Sequence, residues 1–290
     1  MNSRNGLFLG LTTIDIIYLV NNPPEVDQKI NARDQFVAAG GPVTNAAIAF
    51  SVLGGKSTLV AALGNHPLNN IVFNEFKKYD IKNIDLAPDY SGLLSLSSIM
   101  IKESTGERSI VSLNAIKLKI NKFPKKLNLN DINLILVDGH QMKLSIELCE
   151  ELKKSEVVTV IDAGSWKAGT EKLLNYIDYA ICSEKFIPPD CKTQEDVVKY
   201  ISNFGIKYIA ITRGDKPIFI KQNNIQETIK VDNRNVKDTV GAGDILHGAF
   251  CYYILEKCLD FRGAVDAASK IATCSCRYFG TREWIKKLKK

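Results

Sequence analysis

The segment VKDTVGAGDILHGAF, residues 236–250, joins two glycines and an aspartate to the start of an apolar repeat. Apolar side chains follow at positions 245, 246, 249, 250, 253 and 254, which is the spacing of one face of an α-helix. Gly241, Gly243 and Asp244 are therefore predicted to lie at a helix N-terminus. The first N–H groups of a helix have no partner within it, and the helix dipole favours negative charge there. This segment is predicted to bind an anion.

Glycines at such a position let backbone N–H groups close on a phosphate, because they carry no Cβ atom. The carboxylate of Asp244 would repel a phosphate, so it is better suited to accept a proton from a hydroxyl that attacks phosphorus. The same residues are also typical of an ordinary glycine-rich turn with an acid in the first helical turn. Leu246 replaces the third glycine of a dinucleotide-binding G-x-G-x-x-G, and the sequence contains no G-x-x-x-x-G-K-[ST] loop.

The composition is that of a globular protein with a sizeable core: 290 residues, 45% hydrophobic, with a net charge of +6. We expect neither nucleic-acid nor membrane binding. The basic tail 284–290 is typical of a solvated terminus, and Asp15 interrupts the apolar N-terminal run. Seven cysteines without a signal-peptide pattern favour reduced thiols in the cytoplasm.

Short apolar runs typical of β-strands alternate with helical patterns along most of the chain. Strands are predicted at 6–11, 57–63, 132–139, 157–162, 208–212 and 217–220, and helices at 44–55, 143–155 and 193–205. Thr44 and Thr193 are of a residue type that commonly caps a helix N-terminus. Strands that are mostly apolar throughout and alternate with helices predict an α/β fold whose mainly parallel sheet is covered on both faces.

Two regions, about 12–37 and 92–116, do not follow this alternation. Both have the pattern of paired strands with glycine and serine punctuation and no helix between them, and STGERS at 104–109 is typical of a turn. We interpret them as a small second sheet that projects from the main one as a lid. The sequence shows no internal repeat and no clear linker, so residues 1–290 are predicted to form a single domain with this lid.

Four segments resemble the PfkB, or ribokinase-like, family of carbohydrate kinases, and they follow one another along the chain in the order that the family has. DTVGAGD (238–244) resembles the C-terminal signature of that family, and AGGPVTNAAIAFSVLGGKSTLVAALGN (39–65) resembles the N-terminal signature. FLGLTTID (8–15) resembles the opening strand, and ITRGDKP (211–217) resembles a T-x-G segment near the nucleotide. Together the four matches cover nearly the whole chain and are more specific than any one of them.

The resemblance implies an αβα sandwich with a β-sheet lid, which phosphorylates a sugar or similar alcohol with ATP and Mg²⁺. It implies that Asp244 is the catalytic base and that the backbone of Gly241, Ala242 and Gly243 forms the anion hole. The other implied residues are Asp15, Gly41 and Asn45 for the acceptor hydroxyls, Arg108 over the phosphates, and Thr212, Gly214, Asp238 and Thr239 at the nucleotide. A monovalent cation such as K⁺ near Asp238 and a homodimer formed through the lid are further implications of the family.

Several positions depart from the family pattern. The segment AICSEKF (180–186) corresponds to the N-x-x-E element of the family. It keeps Glu184, which is expected to act on the metal indirectly. It also has Ser183, and in this respect it resembles ketohexokinases. Pro42 replaces an asparagine that ketohexokinases carry, so specificity for fructose is not implied. His66 replaces an acidic residue, and we interpret it as a loop residue rather than a catalytic histidine.

Two other functions stay open at this stage. An aromatic side chain near Asn45 would favour a nucleoside kinase of the same fold, and Phe36 is the one candidate, although a core position suits it better. A catalytically silent scaffold would be expected to lose the glycines or Asp244, and both are retained. A sugar kinase is therefore the leading hypothesis, with the acceptor sugar left unspecified.

Overall fold

The computed structural model of the protein describes residues 4–113, 120–123, 127–256 and 259–288. Its strands are β1 (Asn5–Gly10), β2 (Thr13–Val20), β3 (Asp34–Gly40), β4 (Lys56–Ala61), β5 (Lys82–Asp85), β6 (Leu96–Lys102), β7 (Arg108–Ser112), β8 (Leu134–Val137), β9 (Val158–Ala163), β10 (Tyr179–Ser183), β11 (Tyr208–Arg213), β12 (Lys216–Gln222) and β13 (Ile225–Ile229). Its helices are α1 (Pro42–Val52), α2 (Asn70–Lys78), α3 (Met142–Leu152), α4 (Thr170–Leu173), α5 (Gln194–Ser202), α6 (Ala242–Ile254), α7 (Phe261–Ser275) and α8 (Ile285–Leu288). Each strand and helix predicted from the sequence is present, with its ends shifted by a few residues.

The main sheet has nine strands in the order β13-β12-β11-β10-β9-β8-β1-β4-β5. The seven strands from β11 to β5 run parallel, and the hairpin of β12 and β13 adds an antiparallel edge next to β11. Parallel strands must be joined by crossovers, which here carry helices to both faces of the sheet. The predicted α/β fold with a mainly parallel sheet is confirmed.

Successive side chains of the buried strands enter two different apolar layers. In β1, Phe8 packs in the layer that contains α1, α6 and α7, whereas Leu7 and Leu9 pack in the layer that contains α3 and α5. A strand directs alternate side chains to opposite faces, so a strand that is apolar at every position is buried on both. These two layers make the molecule an αβα sandwich, as the resemblance implied.

A separate four-stranded sheet, in the order β3-β2-β6-β7, contains the strands of the two predicted lid regions and is called the lid below. Strands β2 and β3 are antiparallel, as are β6 and β7, and the two pairs join through parallel pairing of β2 with β6. Residues 114–116 of the predicted lid lie outside the described ranges. On one face of the lid, Ile17, Ile99 and Ile101 pack with Val240, which immediately precedes the Gly241 turn. This small apolar cluster fixes the lid beside the start of α6.

Helix α6 lies so close to α1 that one of its residues must be glycine. A Cβ atom on Gly248 would lie 2.1 Å from the carbonyl oxygen of Ala46 in α1. We expect Gly248→Ala to lower the free energy of unfolding by about 1–3 kcal/mol, because overpacking forces the two helices apart. Urea denaturation measures this loss. Gly263→Ala, near the start of α7, is the control: its Cβ would approach only side-chain atoms, at 3.2 Å or more, and an equal loss there would contradict the explanation.

Candidate active site

The segment 236–250 forms the helix start that the sequence predicts. Gly241 adopts a left-handed conformation, with φ of 70°, and α6 begins at the next residue. Asp244 lies in the first turn of the helix and is half-buried. The left-handed turn carries the chain sharply into the helix, and glycine is the residue that accepts this conformation at little cost. The first backbone amides of α6 and the Asp244 carboxyl group therefore lie together at the start of the helix.

This helix start faces a cleft of about 540 Å³ at the carboxyl ends of β9, β10 and β11. Crevices at such strand ends are the usual ligand sites of open parallel sheets. Of the residues expected from the sequence, those that line the cleft are Arg108, Glu184, Thr212, Gly214, Thr239, Gly241, Ala242, Gly243 and Asp244. Residues from the lid, three strand ends and α6 thus meet in one cavity, although more than 130 positions separate Arg108 from the helix.

The lid reaches the cleft through Arg108, the first residue of β7. Its Nη1 atom donates a hydrogen bond to the carbonyl oxygen of Thr239, in the loop before α6. The guanidinium group thereby lies at the rim of the cleft, beside the helix start that favours an anion. This placement suits the expected approach of Arg108 to phosphate, which stays a prediction.

Near Asp15, two successive glycines allow close contacts that a side chain would block. A Cβ atom on Gly40 would lie 2.0 Å from the Asp15 carboxylate, and one on Gly41, whose φ is 94°, would lie 2.3 Å from the carbonyl oxygen of Leu11. Asp15 is buried and accepts a hydrogen bond from Thr13 Oγ1 at 2.7 Å. Burial raises the pKa of Asp15, hydrogen bonds from Thr13 and Ser97 oppose this, and the charge of Asp244 raises it further.

Gly41 also changes where α1 begins. The sequence predicts a cap at Thr44, but the helix starts at Pro42 with Gly41 as its N-cap. Proline suits the first helical position because its φ is already helical and its missing N–H would have no partner there. Thr44 consequently lies inside the helix, where its hydroxyl pairs with that of Thr12 at 2.9 Å.

The two signature segments meet through a side-chain hydrogen bond. Asn45 in α1 donates from Nδ2 to Oδ2 of Asp244 at 2.8 Å. The sequence predicts Asn45 as a ligand of the acceptor, whereas the structure joins its amide to the expected base. Asn45 is buried, with 3% of its surface exposed, and its contact with acceptor hydroxyls stays a prediction.

Arg282 and the buried pair Asp162 and His247 contribute to the site without a sequence signal. Arg282 donates to Oδ1 of Asn45 at 2.9 Å. His247 in α6 places Nδ1 2.7 Å from the carbonyl oxygen of Gly243 and 3.5 Å from Oδ2 of Asp162. Burial raises the pKa of Asp162 to about 6, and the charge of Asp244 adds to this. His247 lies in the segment 236–250 but was interpreted only as part of the helix, Asp162 was interpreted as part of a strand, and Arg282 lies in no quoted motif.

Asp238, which the sequence predicts near the nucleotide, is not among the described residues that line the cleft. Its two carboxylate oxygens accept from the N–H groups of Val240 at 2.7 Å and Gly280 at 2.8 Å. It therefore fixes the loop before α6 to the segment after α7. His66, the other residue in question, accepts from the N–H of Leu68 as a local helix cap, in agreement with its interpretation as a loop residue.

Within the described ranges, no group of three or more His, Cys, Asp or Glu side chains is arranged to hold a metal ion. Within the same ranges, no helix has the length and apolar character that a bilayer crossing requires.

Comparison with known proteins places this architecture in a family. A ribokinase of Dictyostelium discoideum is 21% identical over 310 residues, covering 96% of this chain and 96% of its own. A deoxyribokinase of Salmonella typhi is 22% identical and covers 91% of this chain and 88% of its own. The structure of Arabidopsis thaliana ribokinase complexed with ribose and ATP superposes with a TM-score of 0.72 at 20% identity, covering 99% of this chain and 98% of that one.

The family model described as pfkB family carbohydrate kinase matches residues 4–288, which is nearly the whole chain. The four segments quoted from the sequence lie within the matched residues, and the fold is that of the ribokinase structures. The chain belongs to the PfkB family of carbohydrate kinases, and it is a transferase of the ribokinase-like fold.

Proposed function

We propose that this protein transfers the γ-phosphoryl group of ATP to a hydroxyl group of a small sugar, with Asp244 as general base. The observation that carries the proposal is the position of Asp244. Its carboxyl group lies in the first turn of α6, at a cleft lined by the glycine backbone, and is held by Asn45. A base and an anion-binding helix start are thus brought together at one point.

The base would act through the carboxylate oxygen that Asn45 does not hold. Asn45 Nδ2 binds Oδ2 of Asp244, which leaves Oδ1 to accept the proton of the acceptor hydroxyl. As that proton moves to Asp244, the hydroxyl oxygen bonds to the γ-phosphorus, and the bond from phosphorus to the bridging oxygen of ADP breaks. The products are the sugar phosphate and ADP, and the proton later returns to solvent.

The backbone at Gly241, Ala242 and Gly243 would stabilise the negative charge of the transferred group. Fixed N–H groups at a helix start need no rearrangement as that charge develops. The N–H of Ala242 bonds weakly to the carbonyl oxygen of Thr239 at 3.3 Å, which closes the turn. The amides of Gly241 and Gly243 are therefore the better suited donors, with Arg108 supplying positive charge from the lid.

The remaining expected residues divide between the two substrates. We assign Asp15 and Gly41 to acceptor hydroxyls, since the carboxylate accepts hydrogen bonds and the glycine lets the sugar approach the backbone. Thr212, Gly214 and Thr239, which line the cleft, are assigned to the nucleotide, with Asp238 holding the loop that carries Thr239. Two of the relatives are named ribokinase and deoxyribokinase, after pentose sugars, so a pentose is the first acceptor to test.

Mg²⁺ fits the cleft as the partner of the ATP phosphates. Glu184 and Asp162 both line the cleft and offer carboxylate oxygens, the donors that Mg²⁺ prefers, and kinase sites bind this ion with few protein ligands. Bound there, Mg²⁺ would neutralise phosphate charge. We also propose a monovalent cation such as K⁺ near Asp238. Each carboxylate oxygen of Asp238 accepts one backbone hydrogen bond and has a second lone pair that could bind the cation.

The lid offers a surface for a homodimer. Its edge strands β3 and β7 expose Val37, Ile110 and Val111, of which Val111 is 70% exposed. An uncovered strand edge with apolar side chains invites pairing with a second copy. We propose this dimer together with a location in the cytoplasm, where ATP is supplied and the cysteines stay reduced.

ADP release from Mg-ATP tests the proposed function. The acceptor panel contains pentoses, deoxypentoses, ketohexoses, aldohexoses, sugar phosphates and nucleosides, and a reaction without acceptor is the control. We expect strong acceptor-dependent turnover with one sugar class and little ATP hydrolysis without it. Turnover with nucleosides alone would replace the sugar, and ATP binding without turnover on any acceptor would contradict a kinase. The structure does not favour nucleosides, because Phe36 packs into the apolar cluster of the lid.

A further inference from the structure

We infer that Arg282 sets the position of the catalytic base by orienting Asn45, an inference that rests on the proposed function. Arg282 lies between α7 and α8, 237 positions from Asn45, and is 5% exposed. Within the described residues, its hydrogen bonds go to Asn45, Ala39, Glu75 and Thr281 and not to Asp244. Arg282 is therefore a positioning residue, which acts on Asp244 through the amide between them.

The guanidinium group of Arg282 is held from several directions. Nη1 donates to Asn45 Oδ1 at 2.9 Å, Nη2 donates to the carbonyl oxygen of Ala39 at 2.7 Å, and both Nε and Nη2 donate to the Glu75 carboxylate, at 3.1 and 3.0 Å. A planar fork with this many partners has one fitting orientation. Arg282 thus presents a rigid cation to Asn45.

This cation determines which way the Asn45 amide faces. An asparagine amide carries an acceptor on one side and a donor on the other, and the two are nearly equal in shape. With a guanidinium at one end and a carboxylate at the other, only one arrangement satisfies both: Oδ1 faces Arg282 and Nδ2 faces Asp244. The reverse arrangement would set an N–H against the cation and an oxygen against the carboxylate. Arg282 therefore ensures that Asn45 donates to the base.

The same cation offsets a concentration of negative charge. Asp15, Asp244 and Glu75 are all carboxyl groups on or near the acceptor side. For Asp15, burial is the largest effect that raises the pKa, the charge of Asp244 adds to it, and the charge of Arg282 opposes it. One buried cation thus serves both the base and the expected acceptor ligand.

Anchors on both sides keep Arg282 in place. Glu75 in α2 also accepts from the N–H of Ala39 at 3.0 Å, next to the Gly40 and Gly41 turn. Trp284, which is 1% exposed, donates from Nε1 to the carbonyl oxygen of Thr281 at 2.9 Å. The C-terminal segment, α2 and the acceptor loop are consequently fixed to one another at Arg282.

A double-mutant cycle on kcat distinguishes positioning from a purely structural ion pair. The variants are Asn45→Ala, Arg282→Lys and the two combined. We expect Arg282→Lys alone to lower kcat about tenfold, within the range of pairwise coupling, because lysine keeps the charge but loses the fork. In the Asn45→Ala background the same change should have no further effect on kcat. Effects that multiply would overturn the inference, since Arg282 would then act without Asn45.

Crystal structures give a second readout that does not depend on turnover. Glu75→Gln combined with Arg282→Gln removes both buried charges, so neither is left without its partner if Arg282→Lys fails to fold. In this variant we expect the Asn45–Asp244 distance to exceed hydrogen-bonding range. An unchanged 2.8 Å bond would overturn the inference. If wild type phosphorylates no acceptor, the proposed function fails, and these structures still decide the role of Arg282.

Discussion

Asp244→Asn is expected to lower kcat by a factor on the order of 10²–10⁴, the usual effect of losing a general base. The amide has nearly the size of the carboxyl group, and its oxygen can still accept from Asn45 Nδ2, which is 2.8 Å from Asp244 in wild type. Fold and ATP affinity should therefore be retained. Steady-state ADP release with the best acceptor, together with calorimetric ATP binding, measures both quantities.

Asp215→Asn is the matched control for that prediction. Asp215 lines the same cleft, so this change removes an equal charge from it without touching the start of α6. We expect its kcat to stay within a few-fold of wild type. Near-normal turnover in Asp244→Asn would remove Asp244 from the role of base, and an equal loss in Asp215→Asn would show that cleft charge alone explains the effect.

The parts of the fold that could be predicted are those set by local sequence. The apolar spacing after Asp244 indicates a helix whatever surrounds it, and the left-handed turn there requires a residue such as Gly241. Likewise Thr193, which has the residue type of a helix cap, exchanges reciprocal capping bonds with Asp196 at the start of α5. Helix α1 was placed less well. Thr44 has the chemistry of a cap, but the glycine pair and Pro42 start the helix two residues earlier.

The site was predicted less completely because it depends on contacts between distant segments. Glycines and acids in signature segments indicate where a ligand binds, but not which side chains bind each other. Asn45 donates to Asp244, 199 positions away, a bond that its predicted role at the acceptor does not indicate. Asp238 accepts from the N–H groups of Val240 and Gly280, two bonds that its predicted position at the nucleotide does not indicate. Arg282 lies in no recognisable pattern, since a buried arginine is identified only by its partners.

Gly243→Ala is expected to lower kcat/KM for ATP strongly while it leaves the melting temperature unchanged or raises it. Gly243 is helical and exposed to the cleft, and an added Cβ would meet no atom of the described residues within 4 Å. Alanine favours a helix over glycine by up to about 1 kcal/mol, so the melting temperature should rise or stay unchanged. Because Cβ atoms tilt toward the helix N-terminus, the methyl group would enter the space proposed for the phosphoryl group. A shift of about 1 Å there can cost on the order of 10²-fold, and we expect kcat/KM for ATP to fall by that factor.

Gly205→Ala should show the reverse pattern and serves as the control. Gly205 follows α5 with a φ of 82°, and an added Cβ there also meets no atom of the described residues within 4 Å. Alanine in this left-handed conformation costs about 1 kcal/mol of stability, whereas catalysis at the cleft should be unaffected. Thermal unfolding and kcat/KM for ATP are measured on both variants. They distinguish backbone strain, expected in Gly205→Ala, from obstruction of the phosphoryl site, expected in Gly243→Ala. Full activity in Gly243→Ala would contradict the anion hole, because a glycine that is needed only for the turn should tolerate a methyl group where the helix has room for it.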